Sequence, residues 1–257
     1  MRIPIHSRGM PTLTPGQWLL AALAAMCIGI SKSGFTGLGL VTVIVMAKLF
    51  PARESTGILL PMLICGDVFA VLGFRRHAQW NQIWRMLPPT AIGIVTGFFL
   101  MSVIPDARFG VVIGSSVLLM SVLQAVRMFR PGLYQNVPHT RAFAWSIGAA
   151  CGVTTMLANG AGPIMALYLL AIALPKYELV GTGAWFFLIV NVFKVPFSSA
   201  LGLIHGSSLA LNLVLLPAIA AGTLLGRWLI AVVPQRLFET LLLIFTTIAS
   251  LRLMGWI

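Results

Sequence analysis

The sequence has very little charge and almost no acid. Only 9% of its 257 residues are charged, and just five are Asp or Glu. A soluble domain carries about 25% charged residues, so this chain could not cover a surface that faces water. Hydrophobic residues instead make up 59%, and the mean hydropathy is +0.98. The composition therefore predicts an all-α polytopic membrane protein.

Cysteine and histidine are also scarce, which argues against two further classes of protein. The three cysteines, Cys27, Cys65 and Cys151, lie in apolar runs, where we interpret them as small buried hydrophobic residues. A secreted disulfide scaffold is thereby excluded. No cluster of His, Cys and Asp has metal-ligand spacing, and no phosphate-binding Gly-Lys-Ser loop is present. We therefore predict neither enzyme activity nor a cofactor.

The net charge of +12 comes mainly from basic residues at the ends of apolar segments. Arg75, Arg76 and Arg85 flank one such loop, and Arg127, Arg130 and Arg141 flank another. This distribution is typical of the cytoplasmic loops of membrane proteins. A nucleic-acid surface would instead cluster its basic residues on one polar face. We therefore predict a lipid bilayer as the partner of this surface, and no nucleic acid.

Apolar segments follow one another along the chain in two sets of five. We predict an N-terminal tail at residues 1–16, a first membrane repeat at 17–128, a linker at 129–140 and a second repeat at 141–257. Several segments are shorter than the roughly 20 residues that a spanning helix needs. The ten segments are 17–31, 35–50, 55–74, 86–104 and 107–127, then 142–156, 162–174, 178–200, 208–233 and 237–256.

Matched prolines, glycines and glutamates indicate that the two halves are an internal repeat. Coincidences among Leu and Val would mean little in such a chain, but these residue types are informative. At a shift of 124 residues the pairs are Cys27 with Cys151, Pro51 with Pro175, Glu54 with Glu178 and Gly57 with Gly181; at a shift of 129 they include Gly93 with Gly222 and Gly97 with Gly226. Repeated halves are typical of secondary transporters.

Two pairs of short segments, 17–31 with 35–50 and 142–156 with 162–174, are each separated by Gly-rich polar sequence. If each pair is a re-entrant hairpin, each half crosses the membrane three times and the halves are inverted. If each pair is one broken crossing, each half crosses four times and the halves are parallel. The loop at 198–208 has only His205 as a basic group, which favours an external loop and the inverted arrangement.

The polar sequence between the short segments, which we call the first tip and the second tip, is the candidate binding site. Inside a bilayer, non-helical backbone survives only where it is buried or lines a cavity. A helix that begins at such a tip presents free N–H groups to an anion. Close packing of helices through small residues is the alternative interpretation. The candidate residues are Ser31, Lys32, Ser33, Gly34, Gly37 and Gly39 in the first tip, and Thr154, Thr155, Asn159, Gly160, Gly162 and Pro163 in the second.

Two lysines and one aspartate lie deep in the apolar sequence. A lysine there costs about 2.5 to 3.5 kcal/mol on insertion scales. Lys194 shares a helix face with Asn191, and the repeat superposes Asn191 on Asp67. Asp67 is either a structural partner of Lys32, Lys194 or Arg75, or a proton carrier. Because a negative-inside membrane potential drives an anion outward, export needs no coupling ion, and we predict the structural role.

At these residues the chain resembles the sulfite exporter TauE/SafE family. The matching stretches are 31–39, 60–67, 74–77, 159–170, 181–182 and 186–196, and the resemblance extends over residues 17–257. It implies a multi-pass transporter of the bacterial inner membrane that exports sulfite or organosulfonates.

The residues themselves also suit a small anionic sulfur compound. The two deep lysines are accompanied by hydroxyl groups, and a sulfonate or sulfite offers three acceptor oxygens to such donors. A scaffold or accessory subunit, whose tips only lock helices together, is an alternative function, and a passive anion channel is another. The hydroxyl residues are Ser31, Ser33, Thr154, Thr155 and Thr182.

Overall fold

A computed structural model describes residues 13–33, 37–130, 140–232 and 235–256. The described residues form ten α-helices, one short 3₁₀ turn at Arg75–His77 and no strand, which confirms the predicted all-α class. The helices are α1 (Pro15–Lys32), α2 (Leu38–Leu49), α3 (Ala52–Phe74), α4 (Trp80–Val103), α5 (Asp106–Phe129), α6 (Arg141–Ala158), α7 (Gly162–Ala171), α8 (Lys176–Ala200), α9 (Gly206–Val232) and α10 (Gln235–Met254).

Five helical segments, in α3, α4, α5, α8 and α9, are long and apolar enough to cross a membrane. They contain 21 to 26 residues, which at about 1.5 Å per residue reaches across about 30 Å of hydrocarbon. Large apolar side chains on these helices, such as Val103 and Leu213, are exposed. A surface of this kind belongs in lipid, and the chain is a multi-pass membrane protein.

The helix α4 begins six residues earlier than the apolar pattern predicts, at Trp80 instead of residue 86. The first turns of this helix contain the polar residues Asn81, Gln82 and Arg85. They interrupt the apolar pattern from which the beginning of the helix was predicted. Oε1 of Gln82 accepts a hydrogen bond from the hydroxyl of Tyr168 at 2.7 Å. The polar first turns of α4 are stabilised by contacts with another helix, which explains why the helix begins before the apolar segment.

Each pair of short helices is a hairpin. The hydroxyl of Thr42 in α2 donates to the carbonyl oxygen of Ala24 in α1 at 3.2 Å. In the second pair, the rings of Phe143 and Tyr168 stack with their centroids 6.1 Å apart. Along one continuous helix, residues 143 and 168 would be separated by about 37 Å. The chain therefore turns back at each tip, which favours the hairpin over a single broken crossing.

The helices of the two halves pack in reciprocal pairs. Helix α1 packs against α9, and its repeat counterpart α6 packs against α4. Similarly, α2 packs against α10 while α7 packs against α5. Two further pairs, α3 with α8 and α5 with α10, join a helix to its own counterpart. This exchange of contacts is the pattern that a two-fold relation between the halves would produce.

Glycines let the exchanged helices approach closely. A Cβ on Gly29 of α1 would overlap the carbonyl oxygen of Ile219 in α9, and a Cβ on Gly222 would overlap that of Met26. Across the equivalent interface, a Cβ on Gly152 of α6 would lie 2.7 Å from Cα of Gly93 in α4. Such contacts between small residues are typical of membrane helix packing. They explain why the repeat matches Gly93 with Gly222.

Candidate functional site

The last turn of α1 places Lys32 beside α3. Nζ of Lys32 lies 2.6 Å from Oδ1 of Asp67, whose side chain has no exposed surface, while that of Lys32 is 14% exposed. The same ammonium lies 5.1 Å from the ring centroid of Phe187, where the face of the ring attracts a cation. The partner of Asp67 is therefore Lys32, one of the three that the sequence allows, and the pair is electrically neutral.

Asp67 also contacts its own repeat counterpart. Nδ2 of Asn191 in α8 donates to Oδ2 of Asp67 at 2.7 Å, and the two residues are 124 positions apart. In a two-fold arrangement, residues that contact their own counterparts lie at the axis. The contact between Asp67 and Asn191 therefore marks the place where the two halves meet.

Lys194 is the second buried lysine, with only 1% of its surface exposed. Its Nζ donates to Oγ1 of Thr155 at 3.1 Å, to Oδ1 of Asn159 at 2.5 Å and to Oδ1 of Asn191 at 3.5 Å. All three acceptors are neutral. Among the described residues no carboxylate lies within 4.0 Å of this ammonium. The cluster therefore holds two lysines, and the carboxylate of Asp67 pairs directly with Lys32, whereas Lys194 has neutral hydrogen-bond acceptors.

The second tip is fixed by Asn159, which ends α6 in the left-handed conformation with φ 52°. Asparagine adopts this conformation more readily than most residues. Its Nδ2 donates to the carbonyl oxygen of Thr56 in α3 at 2.9 Å, while its Oδ1 accepts from Lys194. Gly162 and Pro163 then begin α7, with proline in the first turn. One asparagine thus joins the second tip to both α3 and α8.

The second tip lies close to the beginning of α2. A Cβ on Gly160 of the second tip would be 3.8 Å from Cδ2 of Leu40 and 3.8 Å from Cγ of Met120. Leu40 follows Gly39, the last residue of the first tip, and Gly37 caps α2 without a side-chain hydrogen bond. The predicted Gly34 lies outside the described residues.

Three of the predicted hydroxyl groups donate to backbone carbonyl oxygens. Such bonds satisfy the hydroxyl within the helix or between helices and leave each oxygen its acceptor capacity. The bonds run from Ser31 to Ile28 at 2.7 Å, from Ser33 to Thr223 at 3.2 Å, and from Thr154 to Ala150 at 2.7 Å.

The structure does not bring Thr182 to this cluster. Its Oγ1 accepts a hydrogen bond from the backbone N–H of Gln79 at 2.9 Å, and Nε2 of Gln79 donates to Oε2 of Glu178 at 2.9 Å. Thr182 precedes Lys194 by twelve positions on the same helix, which corresponds to about 18 Å. The contact joins the beginning of α8 to the segment before α4.

Two glycines that the sequence assigns to the repeat also support the tips. A Cβ on Gly226 of α9 would lie 2.8 Å from Oγ of Ser33 and 2.9 Å from Cα of Ile30. A Cβ on Gly97 of α4 would lie 2.7 Å from Cβ of Met156. Each tip therefore rests on a helix from the other half. The match of these two glycines in the repeat marks them in the sequence, but the sequence alone does not show that they contact the tips.

Comparison with known proteins identifies a family for this chain. The family model described as "Sulfite exporter TauE/SafE" matches residues 21–253, which is nearly the whole chain. No curated protein and no solved structure matches the chain.

Proposed function

The chain belongs to the sulfite exporter TauE/SafE family, and we propose that it exports sulfite or an organosulfonate across the bacterial inner membrane. The observation that carries this proposal is the environment of Lys194, a buried ammonium whose acceptors are all neutral. A buried charge is costly unless it is paired, and charged groups at membrane depth typically mark ion pathways. An anion supplies the missing charge.

The groups around Lys194 suit a small oxyanion. The ammonium has three N–H donors, and the amides of Asn159 and Asn191 lie beside it. Each oxygen of a sulfonate accepts charge-assisted hydrogen bonds, which are about twice as strong as those between neutral groups. The neutral acceptors hold Lys194 when the anion is absent, and the anion replaces them when it binds.

Lys32 and Asp67 have a different role in this proposal. Their ion pair is neutral and lies at the contact between the halves. The membrane potential supplies about 2.3 kcal/mol per charge for each 100 mV, which already drives an anion out of a negative-inside cell. Export therefore needs no proton carrier, and Asp67 holds Lys32 and Asn191 in place.

The two hairpins support an inverted arrangement of the halves. A hairpin returns to the side from which it enters, and three further helices follow it in each half. Three crossings leave the second half with the opposite orientation. In transporters with inverted repeats, the substrate site lies at the interface between them, and rocking of one repeat against the other alternates its access. The contact between Asp67 and Asn191 is at the corresponding interface.

The experiment measures efflux of labelled sulfite and of an organosulfonate from proteoliposomes with a negative-inside potential. We expect Lys194→Met to reduce efflux about ten- to hundredfold, because hydrogen bonds to a charged group contribute about 1.5 to 3 kcal/mol. Lys48→Met is the matched control, since it removes an exposed lysine. Anion-dependent thermal stabilisation of the purified protein is the second readout.

Three results would contradict the proposal. Wild-type protein that shows neither efflux nor anion-dependent stabilisation would indicate a scaffold or accessory subunit. Flux at channel rates without saturation would indicate a passive anion channel. Normal efflux by Lys194→Met would show that the protein transports the anion but that Lys194 does not bind it.

A further inference from the structure

A group of exposed basic and aromatic side chains lies where α3 ends and α4 begins. Arg75, Arg76 and His77 form the 3₁₀ turn between these helices, and all three are exposed. Trp80 and Trp84 follow one turn apart on α4, with 42% and 65% of their surfaces exposed. We call these five residues the basic-aromatic patch. The function proposed above does not use it.

Contacts with α8 fix the position of this patch. The ring centroid of His77 lies 5.6 Å from that of Tyr177, and the ring centroid of Trp80 lies 5.2 Å from that of Trp185. A Cβ on Gly181 of α8 would lie 3.1 Å from the carbonyl carbon of His77, so the turn packs directly on the helix. The backbone of the turn and two of its rings are therefore in place before a ligand binds.

The positive charge of the patch has no internal counter-ion in the described part of the chain. No carboxylate there lies within 4.0 Å of the guanidinium groups of Arg75 or Arg76. Glu178, the acid that contacts this loop, accepts a hydrogen bond from the amide of Gln79 at 2.9 Å. Since arginine is always protonated in proteins, two permanent positive charges are open to an anionic partner.

The internal repeat shows that the fold does not require these side chains. Gly57 packs against the carbonyl oxygen of Leu203, just as Gly181 packs against that of Phe74, so the two loops are structural counterparts. The opposite loop has one histidine, and it has no arginine or tryptophan. At the shift of 129 the five residues of the patch correspond to Ile204, His205, Gly206, Leu209 and Leu213.

Helix α6 adds another arginine and tryptophan at the same end of the molecule. Helices α4 and α6 run in the same direction, since successive contacts along them rise together in residue number. These contacts join Pro89 with Gly148, Gly93 with Gly152 and Gly97 with Met156. The first turns of both helices therefore lie at one end, where Arg141 and Trp145 are exposed one turn apart on α6.

Exposed arginine beside exposed tryptophan suits the headgroup region of a membrane. Trp and Tyr are enriched at membrane interfaces, where their amphipathic rings lie at the level of the headgroups. Arginine forms bidentate, charge-assisted hydrogen bonds with phosphate. Loops with an excess of basic residues face the cytoplasm, and the cytoplasmic leaflet contains anionic lipids. An anionic phospholipid therefore offers both a charge for the arginines and an apolar chain for the rings.

We infer that the basic-aromatic patch binds an anionic phospholipid, with the phosphate at Arg75 and Arg76 and the acyl chains along Trp80 and Trp84. The inference is independent of Lys194 and of the transported anion. A lipid that binds only the folded protein stabilises it, so binding raises the melting temperature.

The test adds phosphatidylglycerol or phosphatidylcholine to the purified full-length protein in detergent. Native mass spectrometry measures lipid binding, and thermal unfolding measures stabilisation. We expect phosphatidylglycerol to bind more tightly and to raise the melting temperature further. Arg75→Gln/Arg76→Gln should weaken phosphatidylglycerol binding about 25-fold, because each basic side chain near a membrane surface contributes about fivefold.

Two further variants are the controls. Arg75→Lys/Arg76→Lys keeps both charges and should keep most of the binding. Arg108→Gln removes an exposed arginine at the opposite end of α4, next to the start of α5, and should bind phosphatidylglycerol like the wild type.

Several outcomes would overturn the inference. One is equal binding of the two lipids by the wild type, and another is undiminished phosphatidylglycerol binding by Arg75→Gln/Arg76→Gln. An equal loss in Arg108→Gln would indicate a general effect of charge. If inorganic phosphate stabilises the protein as much as phosphatidylglycerol, the patch binds a free anion and not a lipid. None of these measurements uses efflux, so this inference and the proposed function fail separately.

Discussion

The two halves place different residues on either side of the contact between Asp67 and Asn191. On one side Lys32 is paired with the carboxylate of Asp67. On the other side Lys194 has neutral acceptors, because the residue that corresponds to Asp67 is Asn191. Two aspartates would make the cluster neutral, and two asparagines would leave both lysines unpaired. A single difference between the repeats thus leaves this cluster with two lysines and one aspartate.

Making the halves alike should have the largest effect. Asp67→Asn leaves Lys32 without its carboxylate, and breaking a buried ion pair by removing one partner costs about 3 to 5 kcal/mol. We expect the free energy of unfolding in detergent to fall by this amount. Combining Asp67→Asn with Lys32→Met removes both charges and should recover most of the loss. If Asp67→Asn alone is as stable as the wild type, the ion pair does not support the fold.

Exchanging the charges tests the comparison more sharply. In the variant Asp67→Asn/Asn191→Asp, the carboxylate moves next to Lys194 and Lys32 becomes the unpaired lysine. We expect the variant to fold, because one carboxylate still pairs with one lysine. Lys32→Met should then reduce sulfite efflux about ten- to hundredfold, which is the effect that we expect of Lys194→Met in the natural sequence. Efflux that still depends on Lys194 in the exchanged protein would contradict the assignment of roles.

The glycines that support the two tips should have a smaller effect. Gly226→Ala brings a methyl group 2.9 Å from Cα of Ile30, and Gly97→Ala brings one 2.7 Å from Cβ of Met156. Both of these atoms are fixed to a helix backbone and cannot move without it. We therefore expect thermal unfolding to show a loss of about 1 to 3 kcal/mol for each variant. Clearly unequal losses would mean that the two tips are not supported equally.

The sequence alone predicts the ten helices and the repeat, because both depend on local composition and on rare residue types at fixed spacing. It does not identify the partner of Asp67. Lys32, Lys194 and Arg75 are all compatible with the chain, and the choice depends on which faces of α1, α3 and α8 meet. That packing is set by distant contacts, such as the approach of α1 to α9 at Gly29.

Two polar residues also show what the sequence alone does not predict. One, Thr182, was assigned to the site and lies outside it, and the other, Gln124, was not singled out at all. Thr182 belongs to a stretch that resembles the family, but it lies near the beginning of α8, about three turns of helix away from Lys194. Its hydroxyl accepts a hydrogen bond from the backbone N–H of Gln79. Gln124 lies in an apolar segment, and nothing in the sequence around it indicates a special environment. Only its neighbours in α2 and α10 reveal that its amide is buried without a partner.

The exchange of helices between the halves affects how the protein is made. Helix α6 packs against α4, which the ribosome has already completed, but α1 packs against α9, which comes much later. The hydrogen bond from Ser33 to Thr223 joins residues 190 positions apart. At about 5 to 20 residues per second, α1 waits about 10 to 40 s for its partner. The first half is therefore synthesised first, but its helix α1 is among the last to gain its packing partner.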